Sequence, residues 1–442
     1  MLPDRARSIR ILTLALPIIG GMLSQSLLNL IDAALVGNLG ETALAGVGIG
    51  GYAMFMVTAM LFGLSSGVQA QTSRRLGEDA HTRCGEGLNA GLIIALVIGL
   101  PLSAICYHWS YELLGLINDQ PEVRDTGTTY FQWRVIGLLP IAMAFCFRGY
   151  WNGIQSTGIY LRIMLIIQLV NVVASILLIY GLLGLPQMGA DGAGIGTTVS
   201  QFVGLGLWLK ATLKHDKGHG VLQTWPKMAT HLATLKLATP HSFQQLWFAA
   251  GYAVLFWILG QIDAASVAVG HVLVNLSLLL ILPGVGLGLS AMSLVGQALG
   301  RGQQEEAYRW GWDVVRIALP CLVLLGLPLI LATDQILGMF LHRESLIALG
   351  HLPLQLTVVM TFVDCTAIVL AQALLGAGAN RTVMLATLTL QWLVFLPLAW
   401  WAGVHEAGGL LVIWWVQLGY RLLNSLLFAL IWQRRKWQQI EI

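Results

Sequence analysis

Residues 15–48 read ALPIIGGMLSQSLLNLIDAALVGNLGETALAGVG. A helix rises about 1.5 Å per residue, so about 20 apolar residues cross the hydrocarbon of a bilayer. The run after Pro17 is long enough. It is too long for the apolar part of a cleavable signal, and it runs into Asp32 rather than a small-residue cleavage site. It reads as a first transmembrane helix. Gln25 and Asn29 precede Asp32 by seven and three residues, so the three share one polar stripe on an otherwise apolar rod.

Shifting the chain by 223 residues lays Pro17 on Pro240 and Gly37 on Gly260, with GNLGETALA against GQIDAASVA. Gly63 falls on Gly286, LGED from Leu76 on LGRG from Leu299, and Gly153 of WNGIQ on Gly376 of LLGAG. Anchors in one register over so long a stretch mark an internal repeat. Each prediction of a helix start places Pro17 and Pro240 at the opening turn. An even number of helices separates the copies, so they share one orientation, related by a pseudo-twofold axis along the membrane normal.

Composition agrees. Of 442 residues, 57% are hydrophobic and 10% charged, and mean hydropathy is +0.75. That excludes a water-soluble surface. Fifty glycines and sixteen tryptophans suit close helix packing and membrane interfaces. A net charge of +3 with no basic cluster among aromatics excludes nucleic acid as a partner. Cys84, Cys106, Cys146, Cys321 and Cys365 are scattered without metal-type or paired spacing and read as isolated thiols.

Apolar spans near 11–36, 43–71, 88–108, 128–152, 160–183 and 189–213 form a first set. A second runs near 236–260, 266–298, 311–333, 350–378, 381–404 and 408–432. The expected fold is an all-α integral membrane protein of twelve transmembrane helices in two parallel six-helix bundles. The halves are 1–213 and 236–442, joined by a polar linker at 214–235 that holds His215, Asp216, Lys217 and His219. With the N-terminus inside, nineteen Lys and Arg fall on the cytoplasmic side and only Arg124 and Arg343 opposite. Both termini and the linker are therefore expected in the cytoplasm of a cell bounded by an inner (plasma) membrane. No GxxxxGK[ST] loop, nucleophile–base pair or metal triad occurs. An ATPase and an enzyme are both disfavoured, no cofactor is expected, and a transporter drawing on an ion gradient is favoured.

Ionisable groups at membrane depth are costly and so are functional candidates. Asp32 leads: desolvation favours its neutral form and a bound cation its ionised form, the competition that cation-coupled export requires. Gln25, Asn29, Gln168 and Asp364 are candidates to line a substrate cavity. Asn171, Ser175 and Thr197 supply oxygens suited to a hard monovalent cation, although such residues routinely bridge membrane helices. Arg134 and Arg148 read as packing or snorkelling residues at helix ends. Trp392, Trp400, Trp401, Trp414 and Trp415 read as an interfacial belt, and the histidines as satisfied or solvated.

Four stretches carry a resemblance: residues 15–48 quoted above, RGYWNGIQST, VNVVASILLIYGLLGLPQMGADGAGIGTTVSQ and LLGAGANR. The chain resembles the multidrug and toxic compound extrusion (MATE) family over almost its whole length. The resemblance implies the MATE/MOP fold, a V-shaped pair of six-helix bundles. It also implies export of amphipathic, often cationic, drugs by a monomer in exchange for H⁺ or Na⁺. Asp32 matches the family's first-helix acid, Asn171 its fifth-helix Asn and Thr197 its sixth-helix Thr, a set that could hold Na⁺. Ser175 stands where the family has a second Asp, which favours protons. Phe248 stands where the NorM-like branch has an acid in the seventh helix, whereas Asp364 matches that branch's tenth-helix acid. The mixture looks closer to the DinF-like branch. A lipid-linked sugar flippase or a natural-product exporter of the same superfamily is the alternative.

Overall fold

The computed structural model describes residues 3–215 and 218–441. Asp216 and Lys217, read above as linker, lie outside the described residues. Every regular element among those residues is helical. The long helices are α1 (Arg5–Gly37), α2 (Glu41–Gly77), α3 (Glu86–His108), α4 (Pro121–Ile136 and Leu138–Gly153), α5 (Thr157–Tyr180) and α6 (Gly189–His215). The second set is α7 (Met228–Gly260), α8 (Ala264–Gly300), α9 (Gln304–Leu331), α10 (Glu344–Gly376), α11 (Asn380–His405) and α12 (Gly409–Gln433).

The 223-residue shift carries Arg5–Gly37 onto Met228–Gly260 and Glu41–Gly77 onto Ala264–Gly300, residue for residue. It also carries the short helix Ser110–Gly115 onto Thr333–Gly338. Even a polar contact repeats. Gln132 donates to Ser110 at 2.8 Å in the first copy, and its counterpart Gln355 donates to Thr333 at 3.5 Å in the second. Pro17 and Pro240 lie inside their helices and do not open them, because the preceding residues Arg5–Leu16 and Met228–Thr239 continue the helix on the N-terminal side. α4 breaks at Gly137, where its segments bend by 50°, whereas α10 is continuous through the equivalent Met360. α11 instead carries two π-helical stretches, Thr389–Phe395 and Trp401–His405.

Ten helices among the described residues are long and apolar enough to cross a membrane, and the bent pair of α4 passes with them as an eleventh. α6 is the twelfth rod of the expected set. Its 27 residues rise about 40 Å, but its opening GADGAGIGTTVSQ lowers its apolarity. Thr197, Thr198 and Ser200 are buried within the protein, whereas Val199, Phe202, Val203 and Leu213 are exposed, so α6 has a polar inner face and an apolar outer one.

The helices sort into two compact units. One is Gly20–Ser242. The other joins the chain through Ile19 to the chain from Phe243 onward. The division falls inside α1 and α7, and not at the linker. In the first unit the Gly63 amide donates to Ser242 at 2.9 Å and Gln71 to Thr234 at 2.7 Å. In the second unit Gly286 packs on Ile19, the contact that the repeat shift makes from Gly63 and Ser242. There Arg7 pairs with Glu306 and Asp313, each at 2.6 Å, and stacks on Trp310. Each repeat thus lends the leading half of its first helix to the second helix of the other copy.

The linker is anchored at His219–Val221, although its other described residues are largely exposed. Asn89 on α3 donates to the carbonyls of Gly220 (3.0 Å) and Thr224 (3.2 Å) and accepts from the Leu222 amide (2.9 Å). Val221 is buried, and His219 is buried with Nδ1 at 2.7 Å from the Tyr150 hydroxyl. The polar sequence hid this, because the Asn89 contacts are made to linker backbone groups.

Candidate functional site

The first unit holds a small apolar collar of Val36, Tyr130, Ile179 and Ala193, one residue each from α1, α4, α5 and α6. One helical turn from each collar residue stands a polar one: Asp32 before Val36, Arg134 after Tyr130, Ser175 before Ile179 and Thr197 after Ala193. Residues four apart share a helix face, so the collar brings these four to a common level. Asp32 is half-buried, and its Oδ1 is shut from solvent without a hydrogen-bond partner. Arg134 is the cation whose field reaches it; the Arg134 side chain itself donates to the Tyr130 hydroxyl at 2.7 Å.

Asn171, Ser175 and Thr197 are buried but engaged. Ser175 donates to Asn171 at 3.3 Å and Asn171 to Ser200 at 3.5 Å. Thr197 donates back to the Ala193 carbonyl at 3.0 Å. Ser200, which also donates to the Thr197 carbonyl, is a member that sequence reasoning missed. Gln168 is buried with Nε2 unpartnered. On α1, Gln25 donates to Asn29 at 3.3 Å, and Asn29 is exposed.

The second unit holds a half-open recess of about one water's size, lined by Phe248, Tyr252, Leu255, Gln391, Tyr420 and Arg421 among others. The repeat shift maps Gln25, Asn29, Asp32, Gln168 and Thr197 onto Phe248, Tyr252, Leu255, Gln391 and Tyr420. The recess therefore occupies, in the second copy, the place of the candidate set in the first. There Asp32 is replaced by Leu255, and Thr198 by Arg421.

Asp364 lies behind that recess and does not line it. It is 2% exposed, accepts from Arg421 and takes a second hydrogen bond from Asn424 at 2.9 Å. It is a paired carboxylate bridging α10 and α12, unlike Asp32. Gln391, at the first π-helical stretch of α11, donates to the Phe248 carbonyl at 3.3 Å and leaves its Oε1 unpartnered.

Arg148 does not snorkel. It donates to Ser65 on α2 at 3.1 Å and lies over the rings of Phe62 and Phe145. Trp414 is buried and donates to Thr357 at 2.8 Å, so it does not belong to an interfacial belt; Trp400, Trp401 and Trp415 are exposed as expected. The five cysteines are free thiols.

A profile of the MatE family matches residues 17–177 and again 240–401, two matches whose starts are set apart by the repeat distance. The chain is 26% identical over 407 residues to the multidrug resistance protein PmpM of Pseudomonas aeruginosa, covering 91% of this chain and 85% of that protein. It is 23% identical over 436 residues to a probable multidrug resistance protein NorM of Thermotoga maritima, covering 97% and 93%. Its fold superposes on a solved multidrug resistance MATE transporter of the MOP superfamily, described as outward-facing, with a TM-score of 0.90 at 19% identity over 96% and 95% of the two chains.

Proposed function

This chain belongs to the MatE family, whose members are multi-pass membrane transporters and not enzymes, and from that premise we propose that it exports amphipathic, often cationic, drugs or toxic metabolites by proton antiport. The observation that carries the coupling role is the unpartnered Asp32 oxygen beneath the collar of the first unit. A buried carboxylate without a fixed partner changes charge at modest cost, so proton and cationic drug can compete for it. Asp364 cannot serve in the same way while Arg421 holds it.

Protons are favoured over Na⁺. Ser175 supplies no second carboxylate, so the buried set of Asn171, Ser175, Thr197 and Ser200 offers a cation only neutral oxygens beside Asp32. The same asymmetry, with Phe248 and Leu255 in the second-unit recess, supports placing the chain nearer the DinF-like branch than the NorM-like one. Gln25, Asn29 and Gln168 are proposed to meet the drug. We take the repeat halves to alternate access as a monomer, with both termini cytoplasmic, as the distribution of Lys and Arg favours. A flippase reading is disfavoured, because Arg421 in the second half is neutralised by Asp364.

The test is efflux of a cationic dye from proteoliposomes under an imposed pH or Na⁺ gradient, with and without Asp32→Asn. Efflux driven by the pH gradient and abolished in the variant is expected. Undiminished transport by the variant removes Asp32 from the mechanism, and transport that follows only the Na⁺ gradient overturns the choice of ion.

A further inference from the structure

Arg148 is a half-buried cation of the first unit with no carboxylate paired to it among the described residues. Its polar neighbours are Ser65, which accepts from Nε at 3.1 Å, the Tyr160 hydroxyl, and the buried His241, whose ring packs edge-on against Phe62. The guanidinium lies over Phe62 at 4.6 Å and Phe145 at 5.0 Å from the ring centroids. Tyr160 is held against α1 where Gly21 leaves room for its ring; a Cβ there would stand 2.7 Å from it. Phe62, Phe145 and Arg148 each remain partly exposed, so the group is a lined recess with an open side.

The internal repeat supplies a control. The shift takes Arg148, Ser65, Phe62, Phe145 and Tyr160 to Ala371, Gly288, Val285, Ile368 and Val383. The same helix crossing in the second unit is built from small and aliphatic residues, so the scaffold does not need a cation or hydroxyls there. An unpaired charge away from bulk water is unfavourable by several kcal/mol in general, and a guanidinium cannot shed its proton to escape that. A charge that the fold does not require and no side chain neutralises is matched to something that enters.

We propose that Arg148, with Ser65 and Tyr160 and the rings of Phe62 and Phe145, is a binding subsite for an oxyanion, a carboxylate or phosphate carried by an amphipathic molecule. The guanidinium fork suits two oxygens at once, and the rings suit an aromatic or acyl body. The subsite is distinct from Asp32 and would extend the substrate range from cations to zwitterions. Arg148 lies five residues from the end of α4 at Gly153, about 8 Å along the axis, so a lipid phosphate is the other source of the same chemistry.

The experiment labels the intact wild-type protein in nanodiscs with phenylglyoxal and reads Arg148 against exposed Arg434 by mass spectrometry. In phosphatidylcholine discs, 2-naphthoate is expected to protect Arg148 and 2-naphthylmethylammonium is not. Protection in phosphatidylglycerol discs without naphthoate assigns the subsite to a lipid phosphate instead. Arg148 that is never labelled, is labelled equally throughout, or is protected equally by the ammonium compound overturns the proposal. In parallel, Arg148→Gln is expected to weaken naphthoate binding about ten- to hundredfold, the loss of charge-assisted hydrogen bonds. Unchanged binding by that variant overturns it as well.

Discussion

Replacing Asp364 by Leu removes one partner of an ion pair in which both side chains are nearly sealed, Asp364 at 2% exposed and Arg421 at 7%. Arg421 then keeps its charge without an acceptor, because it cannot deprotonate. Breaking a buried pair in this way costs about 3–5 kcal/mol. Arg421→Leu is expected to be milder, roughly 1–3 kcal/mol, because an abandoned carboxyl can take up a proton and leave only unsatisfied hydrogen bonds. The double variant replaces the pair by packed apolar groups and is expected within about 1 kcal/mol of wild type. The coupling between the sites is therefore about 3 kcal/mol or more, with Asp364→Leu the worse single change. For a unit of this size each kcal/mol moves the midpoint by about 2–4 °C, so Asp364→Leu should unfold on the order of 10 °C early. Tryptophan-monitored melting at one fixed scan rate measures this in detergent, where unfolding is irreversible and rates matter. Additive losses, with the double variant as unstable as the two singles together, refute the argument. If the double variant folds but no longer exports dye, Asp364 and Arg421 take part in transport after all.

Gly376→Ala would drive a Cβ into the Met292 carbonyl, a backbone atom that cannot move aside, and is expected to destabilise by about 1–3 kcal/mol. Gly153→Ala, which meets Thr72 side-chain atoms first, is expected to lose less in the same melting assay. Asn89→Ala deletes three hydrogen bonds to the linker backbone, each worth about 1 kcal/mol. Tryptic cleavage after exposed Lys227 is expected to accelerate tenfold or more, and an unchanged rate would mean that the linker is not held there. Asp263 caps α8 by accepting from the Ser266 amide at 2.6 Å, and that bond holds its carboxyl below the usual aspartate range. A depressed carboxyl contributes stability above its unfolded pKa of about 3.9, and the contribution is lost as pH falls through the folded value. Asp263→Ala is therefore expected to cost a few tenths to about 1 kcal/mol at neutral pH, with the gap closing in acid; a pH-independent gap would rule out the ionic cap.

The sequence by itself determined that the chain is helical and membrane-spanning, that it is duplicated, and where the copies align. Those properties rest on local facts: runs of apolar residues set span length, and Gly and Pro anchors act on the backbone at their own positions. The shift fixed at Pro17 and Gly37 from sequence holds to the residue in the helix bounds Arg5–Gly37 and Met228–Gly260. Asp32 was legible for the same reason, as a lone acid in an apolar run.

Partnership was not legible, because it joins residues far apart in the chain. Asp364 and Arg421 are 57 residues apart, and nothing at either position announces the other. Asp32 and Asp364 look alike as sequence; only packing makes one unpartnered and the other neutralised. The exchange of the leading halves of α1 and α7 between the repeats, and the anchoring of the linker through its backbone, were likewise decided by tertiary structure. So was Arg148, whose missing counter-charge is a property of every helix around it and of no single residue.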